Sequence, residues 1–325
     1  PKTVRRQRQM CIRDSAGGIS VIRWLDRNQP AVLSLVMLLI LATMYATGFL
    51  SASLATLEIG PVAAGALRVI FASIFLLFVA TITGAGLVRG GLMWRYAAAY
   101  GMLCMAVPFT VLPWTLTYLS NATAAIYYAV IPVEVLVLSR IFLGTPVSRR
   151  KWAGFAVASA GLILLALAGA RGTAETMAAP QLRLETDIPL WLPHIVCVMS
   201  AVFIAIGGIL FQMMPKVSPV SITASALLTG NLIAVPALML FPPAGMPSAK
   251  GLFWVLVGGV IVTGCGMILR GMLIRRESAI YTSSNGYVVP IISALIAFIA
   301  LGETVGPVAI MSYLLVLGGL LLSRS

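Results

Sequence analysis

The sequence predicts an all-α integral membrane protein with ten transmembrane helices arranged as two inverted five-helix repeats. Hydrophobic residues make up 60% of the 325 residues and charged residues only 10%, and the mean hydropathy is +1.02. One soluble core cannot hide that much apolar surface, so the chain needs a bilayer. The apolar runs, the distribution of Lys and Arg, and a recurring sequence offset each support one part of this prediction.

Ten apolar runs are long enough to cross a bilayer, which takes about 20 predominantly apolar residues as a helix. In chain order they lie at 31–53, 61–83, 96–118, 122–143, 150–170, 190–212, 217–241, 252–274, 279–301 and 304–323. The links between them are short, apart from the polar stretch 171–189. No remaining segment is long enough for a soluble domain.

The ends and the middle of the chain complete the expected organisation. Residues 1–15 are interpreted as a non-native tail, because they end in RQMCIRDS, which a common sequencing-library adaptor encodes in one reading frame. Residues 16–30 are then a cytoplasmic N-terminal segment. The stretch 171–189 is expected to be an external linker between the first five-helix repeat, 31–170, and the second, 190–325.

The distribution of Lys and Arg predicts the orientation. When residues 1–15 are left out, eleven of these residues lie on one side of the predicted membrane and three on the other. Short loops rich in Lys and Arg stay in the cytoplasm, so both termini are predicted to be cytoplasmic. The same pattern argues against a nucleic-acid partner in spite of the net charge of +13, because the basic residues form small clusters between apolar runs. The lipid bilayer is the expected partner.

An internal repeat with an offset of 158 residues divides the chain into two halves. Pro132 and Gly144 are related by this offset to Pro290 and Gly302. Each match is weak alone, but the same offset also aligns segments of several other predicted helices. Because five helices are an odd number, the second half must be inserted upside down relative to the first. Inverted repeats are typical of alternating-access transporters, whose site lies near the membrane midplane between the repeats.

Two long stretches resemble a known family. AAIYYAVIPVEVLVLSRIFLGTPVSRRKWAGFAVASAGLILL (124–165) and SAIYTSSNGYVVPIISALIAFIALGETVGPVAIMSYLLVLGGLLL (278–322) are similar to the two EamA repeats of the drug/metabolite transporter superfamily. The shared features are a small-residue start, a mid-helix proline, an LGE-type turn and a glycine-rich last helix. ALRVIFASIFLL (66–77) also resembles the second helix of that family, which carries an arginine.

The resemblance implies a ten-helix secondary transporter in the cytoplasmic membrane of a prokaryote, commonly an exporter of amino acids or other small metabolites. The first repeat departs from the family pattern. Thr145 stands where the glutamate of the turn is expected, whereas the second repeat keeps Glu303. A paired role of the turn glutamates would therefore be one-sided in this chain.

The two mid-helix prolines point to a binding site. Pro132 and Pro290 each remove a backbone donor, which leaves the carbonyl groups of Tyr128 and Gly286 without their usual helical partners. Interruptions at corresponding positions of two halves are typical of a transport site. The alternative is an ordinary kink that neighbouring helices accommodate.

Glu134 lies within one turn of Pro132 and is expected to share a helical face with Tyr127 and Ile131. A carboxylate in a bilayer is a functional candidate by default. It can bind a proton in exchange for substrate, or it can hold a substrate amine. The structural alternatives are a salt bridge to Arg68 and a neutral acid that is hydrogen-bonded to a helix.

Two arginines in the predicted spans are further candidates. Arg68 lies seven residues into its helix, where it could grip a substrate carboxylate, pair with Glu134 or extend to the interface. Arg270 lies about one turn from the cytoplasmic end of its helix. The interface is the favoured position for Arg270, and the cavity is the alternative.

The ninth predicted helix begins with the polar run YTSSNGY. Its Ser283, Ser284, Asn285 and Tyr287 are expected to line a cavity from the cytoplasmic side and to bind a small polar ligand. Hydrogen bonds between helices are the alternative role.

Other classes of function fit less well. The sequence has neither HExxH nor GxSxG and no close acidic pair, so an intramembrane enzyme is not expected. No cofactor or metal is implied, and the expected partner besides lipid is a small-molecule substrate, with proton coupling as an addition. A non-transporting membrane receptor or assembly factor on the same fold remains the alternative.

Overall fold

The structure is a computed structural model, and it describes residues 30–144, 146, 148–170, 188–189, 191–243, 245–303 and 305–324. The predicted N-terminal tail, most of the predicted external linker and Thr145 lie outside the described residues. The described part of the chain contains fourteen α-helices. In chain order they are α1 (Pro30–Ile59), α2 (Pro61–Ile82), α3 (Gly91–Gly101), α4 (Val107–Thr115), α5 (Asn121–Tyr128), α6 (Ile131–Leu143), α7 (Arg149–Ala170), α8 (Trp191–Met213), α9 (Pro219–Leu240), α10 (Ala249–Leu256), α11 (Gly266–Arg276), α12 (Ala279–Ser283), α13 (Val289–Leu301) and α14 (Pro307–Arg324).

Four pairs of consecutive helices are each one interrupted transmembrane element. A π-helical segment joins α3 to α4 and a second one, Val257–Cys265, joins α10 to α11. A turn separates α5 from α6, and the short 3₁₀ helix Ser284–Tyr287 separates α12 from α13. With these pairs joined, nine helical elements of the described chain are long and apolar enough to cross a membrane. A shorter apolar helix, Pro307–Gly319, lies where the tenth was predicted.

Large apolar side chains cover the outer surface of the helices. Phe78, Leu232 and Leu295 are 61%, 68% and 58% exposed, respectively. A soluble protein rarely exposes so continuous an apolar surface. In a bilayer the same side chains contact lipid, and the helices satisfy their own backbone hydrogen bonds.

Matching helices recur 158 residues apart. Helices α2 and α9 have 22 residues each and begin at Pro61 and Pro219. Helices α6 and α13 have 13 residues each, and each ends at a glycine with a left-handed backbone, Gly144 with φ 66° and Gly302 with φ 67°. Only glycine adopts this conformation without strain, which explains why the chain ends both helices in this way.

Contacts between the halves are reciprocal. A Cβ atom on Gly101 would overlap the backbone carbonyl of Ala226, and a Cβ atom on Gly259 would lie 2.8 Å from the carbonyl oxygen of Arg68. Gly101 precedes Gly259 by 158 residues, and Arg68 precedes Ala226 by the same number. The glycine-rich stretch around Gly259 therefore permits close helix packing, as its composition suggested.

One residue contacts its own counterpart. The side-chain amide of Asn231 donates a 2.9 Å hydrogen bond to the hydroxyl of Ser73, which lies 158 residues earlier in the chain. Ser73 is on α2 and Asn231 on α9, the two helices of equal length. The hydrogen bond therefore joins equivalent positions of the two helices.

Candidate functional site

A cavity of about 860 Å³, counting the space at its opening, lies between the two halves. In the first half its wall comes from α1, α2, α4, α5, α6 and the π-helical segment between α3 and α4. In the second half it comes from α8, α11, α12, α13, the π-helical segment Val257–Cys265 and the 3₁₀ helix Ser284–Tyr287. Most of the lining residues are apolar, and two arginines, Arg68 and Arg270, are among them.

Arg68 is held in the cavity wall with part of its guanidinium group unpaired. Its Nε donates to the hydroxyl of Thr263 at 2.8 Å, and its guanidinium carbon lies 4.8 Å from the centre of the Phe109 ring. Thr263 belongs to the π-helical segment and donates in turn to the carbonyl of Gly258. Arg68 is only 5% exposed, and its Nη1 has no hydrogen-bond partner in the part of the chain that the structure describes. The guanidinium group of Arg68 therefore lies inside the protein and does not extend to its outer surface.

Arg270 also points into the protein. Its Nη1 donates to the hydroxyl of Tyr100 and its Nη2 to the carbonyl of Ile204, both at 3.0 Å. With 7% exposure, Arg270 is a cavity residue and does not extend to the interface, which was the favoured expectation. The reason is that the face of α11 with Arg270 packs against α8, where Gly208 leaves room for the guanidinium group.

The polar run covers the end of α12 and the 3₁₀ helix that follows it, and its candidate residues differ in whether they line the cavity. Ser283 and Asn285 line the cavity. Ser284 and Tyr287 are not among its lining residues. The Ser284 hydroxyl donates to the carbonyl of Ile280 on its own helix, and the backbone carbonyl of Tyr287 accepts a 2.6 Å hydrogen bond from the hydroxyl of Tyr313.

The two prolines begin helices instead of bending them. Pro132 is the second residue of α6, and Pro290 is the second residue of α13. In the first turn of a helix the backbone N–H has no intrahelical acceptor, so proline removes no hydrogen bond there. Neither proline is among the lining residues of the cavity. A Cβ atom on Gly286 would lie 3.1 Å from Cδ of Pro132, so the interrupted segments of the two halves pack against each other.

The break between α5 and α6 separates the side chains of Tyr127, Ile131 and Glu134. Ile131 lines the cavity, but Tyr127 and Glu134 do not. A spacing of seven residues places side chains on one face only in a continuous helix, and the turn at 129–130 interrupts this one. Among the described residues no carboxylate lies within 4 Å of Arg68, so the salt bridge between Arg68 and Glu134 is not formed.

Glu134 is nevertheless close to the cavity wall. It follows Val133 and precedes Val135, which is a lining residue, on the first turns of α6. Its Oε2 is buried without a hydrogen-bond partner among the described residues. A buried carboxylate oxygen in this situation is costly when ionised.

The comparison with protein families decides the identity of the chain. The model of the EamA-like transporter family matches residues 32–167 and again residues 191–325. The chain belongs to the EamA-like transporter family. This membership and the nine long apolar helices identify a multi-pass membrane transporter.

Similar proteins agree with this assignment. The EamA-like chain is 24% identical over 227 residues to the probable terminal-alkyne amino-acid exporter of Streptantibioticus cattleyicolor, a match that covers 69% of this chain and 71% of the relative. A crystal structure described only as "Crystal structure of protein" has the same fold with a TM-score of 0.62 and 18% identity. The superposition covers 89% of this chain and 98% of that one.

The adjacent residues Tyr127 and Tyr128 have different surroundings in this EamA-like protein. The hydroxyl of Tyr127 forms a 2.7 Å hydrogen bond with Nδ1 of His194, and both side chains are buried. The hydroxyl of Tyr128 forms a 2.8 Å hydrogen bond with Ser200, and Tyr128 lines the cavity. The sequence offered no sign of the bond between Tyr127 and His194, because a single histidine has no spacing pattern.

We expect Tyr127→Phe and Tyr128→Phe to have separate effects. Tyr127→Phe leaves the ring nitrogen of His194 buried without a partner and should lower the free energy of unfolding by about 1–2 kcal/mol, with little change in transport. Tyr128→Phe should lower the transport rate several-fold, because it removes a hydroxyl from the cavity wall. Thermal unfolding in detergent and solute efflux from cells measure the two effects. Equal transport losses in both variants would contradict the separation.

Glu303 joins the ends of two helices on the side opposite to the polar run of α12. Its Oε2 accepts a 2.8 Å hydrogen bond from the backbone N–H of Asn121, and its Oε1 accepts a 2.7 Å bond from the Asn121 amide. The hydroxyl of Ser53 donates a hydrogen bond to the side-chain oxygen Oδ1 of Asn121. Burial raises the pKa of Glu303, although the hydrogen bonds act in the opposite direction.

Proposed function

We propose that this EamA-like protein exports small metabolites, such as amino acids or related compounds, across the inner membrane of a prokaryote by alternating access. The observation that carries the proposal is the cavity between the halves, whose wall contains one buried arginine from each half, Arg68 and Arg270. The similarity to a protein named as an amino-acid exporter supports the choice of solute and direction.

The proposed mechanism needs ten transmembrane helices in two inverted five-helix repeats with both termini in the cytoplasm. The reciprocal contacts of Gly101 and Gly259, and the hydrogen bond between Ser73 and Asn231, support the symmetry. The excess of Lys and Arg in alternate loops supports the orientation. Inverted repeats of this kind can exchange conformations, which opens a central site to one side and then to the other.

In the proposed orientation, the cavity reaches the cytoplasmic ends of α11 and α12. Lining residues of the cavity include Ile274 and Ala279, next to the link between α11 and α12 that the proposed orientation places on the cytoplasmic side. On the proposed outer side, Glu303 holds the N-terminus of α5. Release of solute then requires this outer contact to open.

Glu134 is the proposed residue for proton coupling. We expect Glu134→Gln to abolish the dependence of export on a pH gradient, because an amide cannot take up and release a proton. Glu58→Gln is the matched control, since Glu58 pairs at the surface with Ser248 and Lys250, away from the cavity. The measurement is solute-driven acidification or alkalinisation inside proteoliposomes. If Glu134→Gln keeps the full pH response, Glu134 has no part in coupling.

The export function itself is tested by metabolite analysis. Cells that express wild type, a Tyr128→Phe variant or an empty vector at matched membrane levels are compared by mass spectrometry of cell contents and medium. The wild type should shift one class of solute into the medium, and the variant should shift less of it. If no solute moves in the wild type, the exporter proposal fails and a receptor or assembly role becomes the better explanation.

A further inference from the structure

We infer that the cavity selects small monocarboxylates with an apolar body, and that a free amine on the same molecule weakens binding. The inference rests on the proposed function, since it names the class of solute that the transport cavity takes. It comes from the charges, the free donor and the apolar surface of the cavity wall.

The charge of the cavity wall is the first argument. Arg68 and Arg270 both line the cavity, and the described lining residues include neither Asp nor Glu. The two arginines give the empty site a formal charge of +2. A bound monocarboxylate lowers this charge to +1, a zwitterion leaves it at +2, and a protonated amine raises it to +3. Because burial strengthens these interactions relative to water, the order of preference follows the net charge of the solute.

The free hydrogen-bond donor is the second argument. Both Nη atoms of Arg270 are occupied, by Tyr100 and Ile204. Arg68 uses its Nε for Thr263, but its Nη1 finds no partner among the residues that the structure describes, although Arg68 is only 5% exposed. A buried guanidinium donor without an acceptor is costly. A carboxylate oxygen is the ligand atom that satisfies it best, because the hydrogen bond is charge-assisted.

The remaining wall determines what is attached to the carboxylate. The apolar part of the wall includes Phe49, Phe109, Leu112, Val262 and Met267. An ammonium group would have only hydroxyl, amide or carbonyl oxygens to replace its hydration, because Glu134 lies outside the lining. An apolar chain of a few carbon atoms, in contrast, fits this surface without loss of hydrogen bonds.

The experiment uses four probes with one branched carbon skeleton. They are 4-methylpentanoate, which has only the carboxylate, leucine, which has both groups, 3-methylbutylamine, which has only the amine, and the uncharged 4-methylpentanamide. Binding to the purified full chain in lipid nanodiscs is measured by calorimetry. We expect 4-methylpentanoate to bind about tenfold or more tightly than leucine, and the amine and the amide to bind more weakly still. Palmitate tests a lipid-derived carboxylate as the alternative source of the same group.

Variants assign the effect to Arg68. Arg68→Gln should remove the preference for the carboxylate probe, and Arg68→Lys should keep part of it, because lysine keeps the charge without the planar fork. Arg275→Gln is the matched control. Arg275 also lies over an aromatic ring, Phe211, at 5.2 Å and donates to backbone carbonyls, but it is not a lining residue. The four-probe series on the wild type stands by itself if Arg68→Gln does not fold.

The outcomes separate this inference from the proposed function. Binding of leucine as tight as or tighter than that of 4-methylpentanoate overturns the inference, and so do tighter binding of palmitate and the absence of binding by any probe. Export of an amine or a zwitterion without carboxylate binding overturns the inference but keeps the exporter. Selective carboxylate binding in a protein that exports nothing keeps the inference and overturns the exporter.

Discussion

Gly101→Ala is expected to lower the free energy of unfolding by about 2–3 kcal/mol, which is typical of overpacking in a tight interior. The added Cβ would overlap the backbone carbonyl of Ala226. Backbone atoms cannot rotate away as a flexible side chain can, so α3 and α9 would have to separate along their contact. Loss of stability is measured by thermal or chemical unfolding in detergent micelles.

Gly91→Ala on the same helix is the control for Gly101→Ala. A Cβ atom at Gly91 would meet no other atom within 4 Å. Alanine is a better helix former than glycine by up to about 1 kcal/mol, so this variant should keep or raise the stability. Equal losses at both positions would show that the close contact between α3 and α9 is not the cause.

Glu303→Ala is expected to lower the free energy of unfolding by about 3 kcal/mol. The substitution leaves two donors of Asn121 without acceptors, the backbone N–H and the side-chain amide, and Asn121 is only 1% exposed. Each buried polar group that loses its partner costs about 1–3 kcal/mol. Glu303→Gln keeps one acceptor oxygen in place and should lose about half as much.

Glu58→Ala is the comparison for Glu303→Ala. Glu58 accepts hydrogen bonds from Ser248 and Lys250 at the surface, where water replaces a lost partner. Its removal should change stability little. Unfolding of the three variants is compared in the same detergent, and a loss in Glu58→Ala as large as in Glu303→Ala would contradict the importance of burial.

The sequence predicted the membrane class and the family, and both are confirmed. The reason is that the apolar runs and the paired repeat motifs are local patterns that survive in any packing. The predicted element 279–301 has the bounds of the observed one, Ala279–Leu301, because polar and glycine residues mark both ends. The π-helical segment Val257–Cys265 was not predicted, and its contact with Arg68 through Gly259 joins residues far apart in the sequence.

The contacts of the candidate site were harder to predict. Sequence position shows how far Arg270 lies from a helix end, but it does not show which face meets α8. Whether Tyr127 and Glu134 share a face depends on the two-residue turn at 129–130, which separates the helix of Tyr127 from that of Glu134. Thr263 as the partner of Arg68 is 195 residues away along the chain, and no pattern in the sequence joins them.

The hydrogen bond between Ser73 and Asn231 has a mechanical consequence. In the proposed mechanism the two halves exchange conformations, and the contact between any two residues is then replaced by the contact between their counterparts. Ser73 and Asn231 are each other's counterparts, so under the proposed mechanism their hydrogen bond would persist in both end states. The counterparts of Glu303 and Asn121 in the sequence are Thr145 and Ala279, whose side chains have neither a carboxylate nor an amide. Under the proposed mechanism the hydrogen bonds that join Glu303 to Asn121 would therefore form in only one of the two end states.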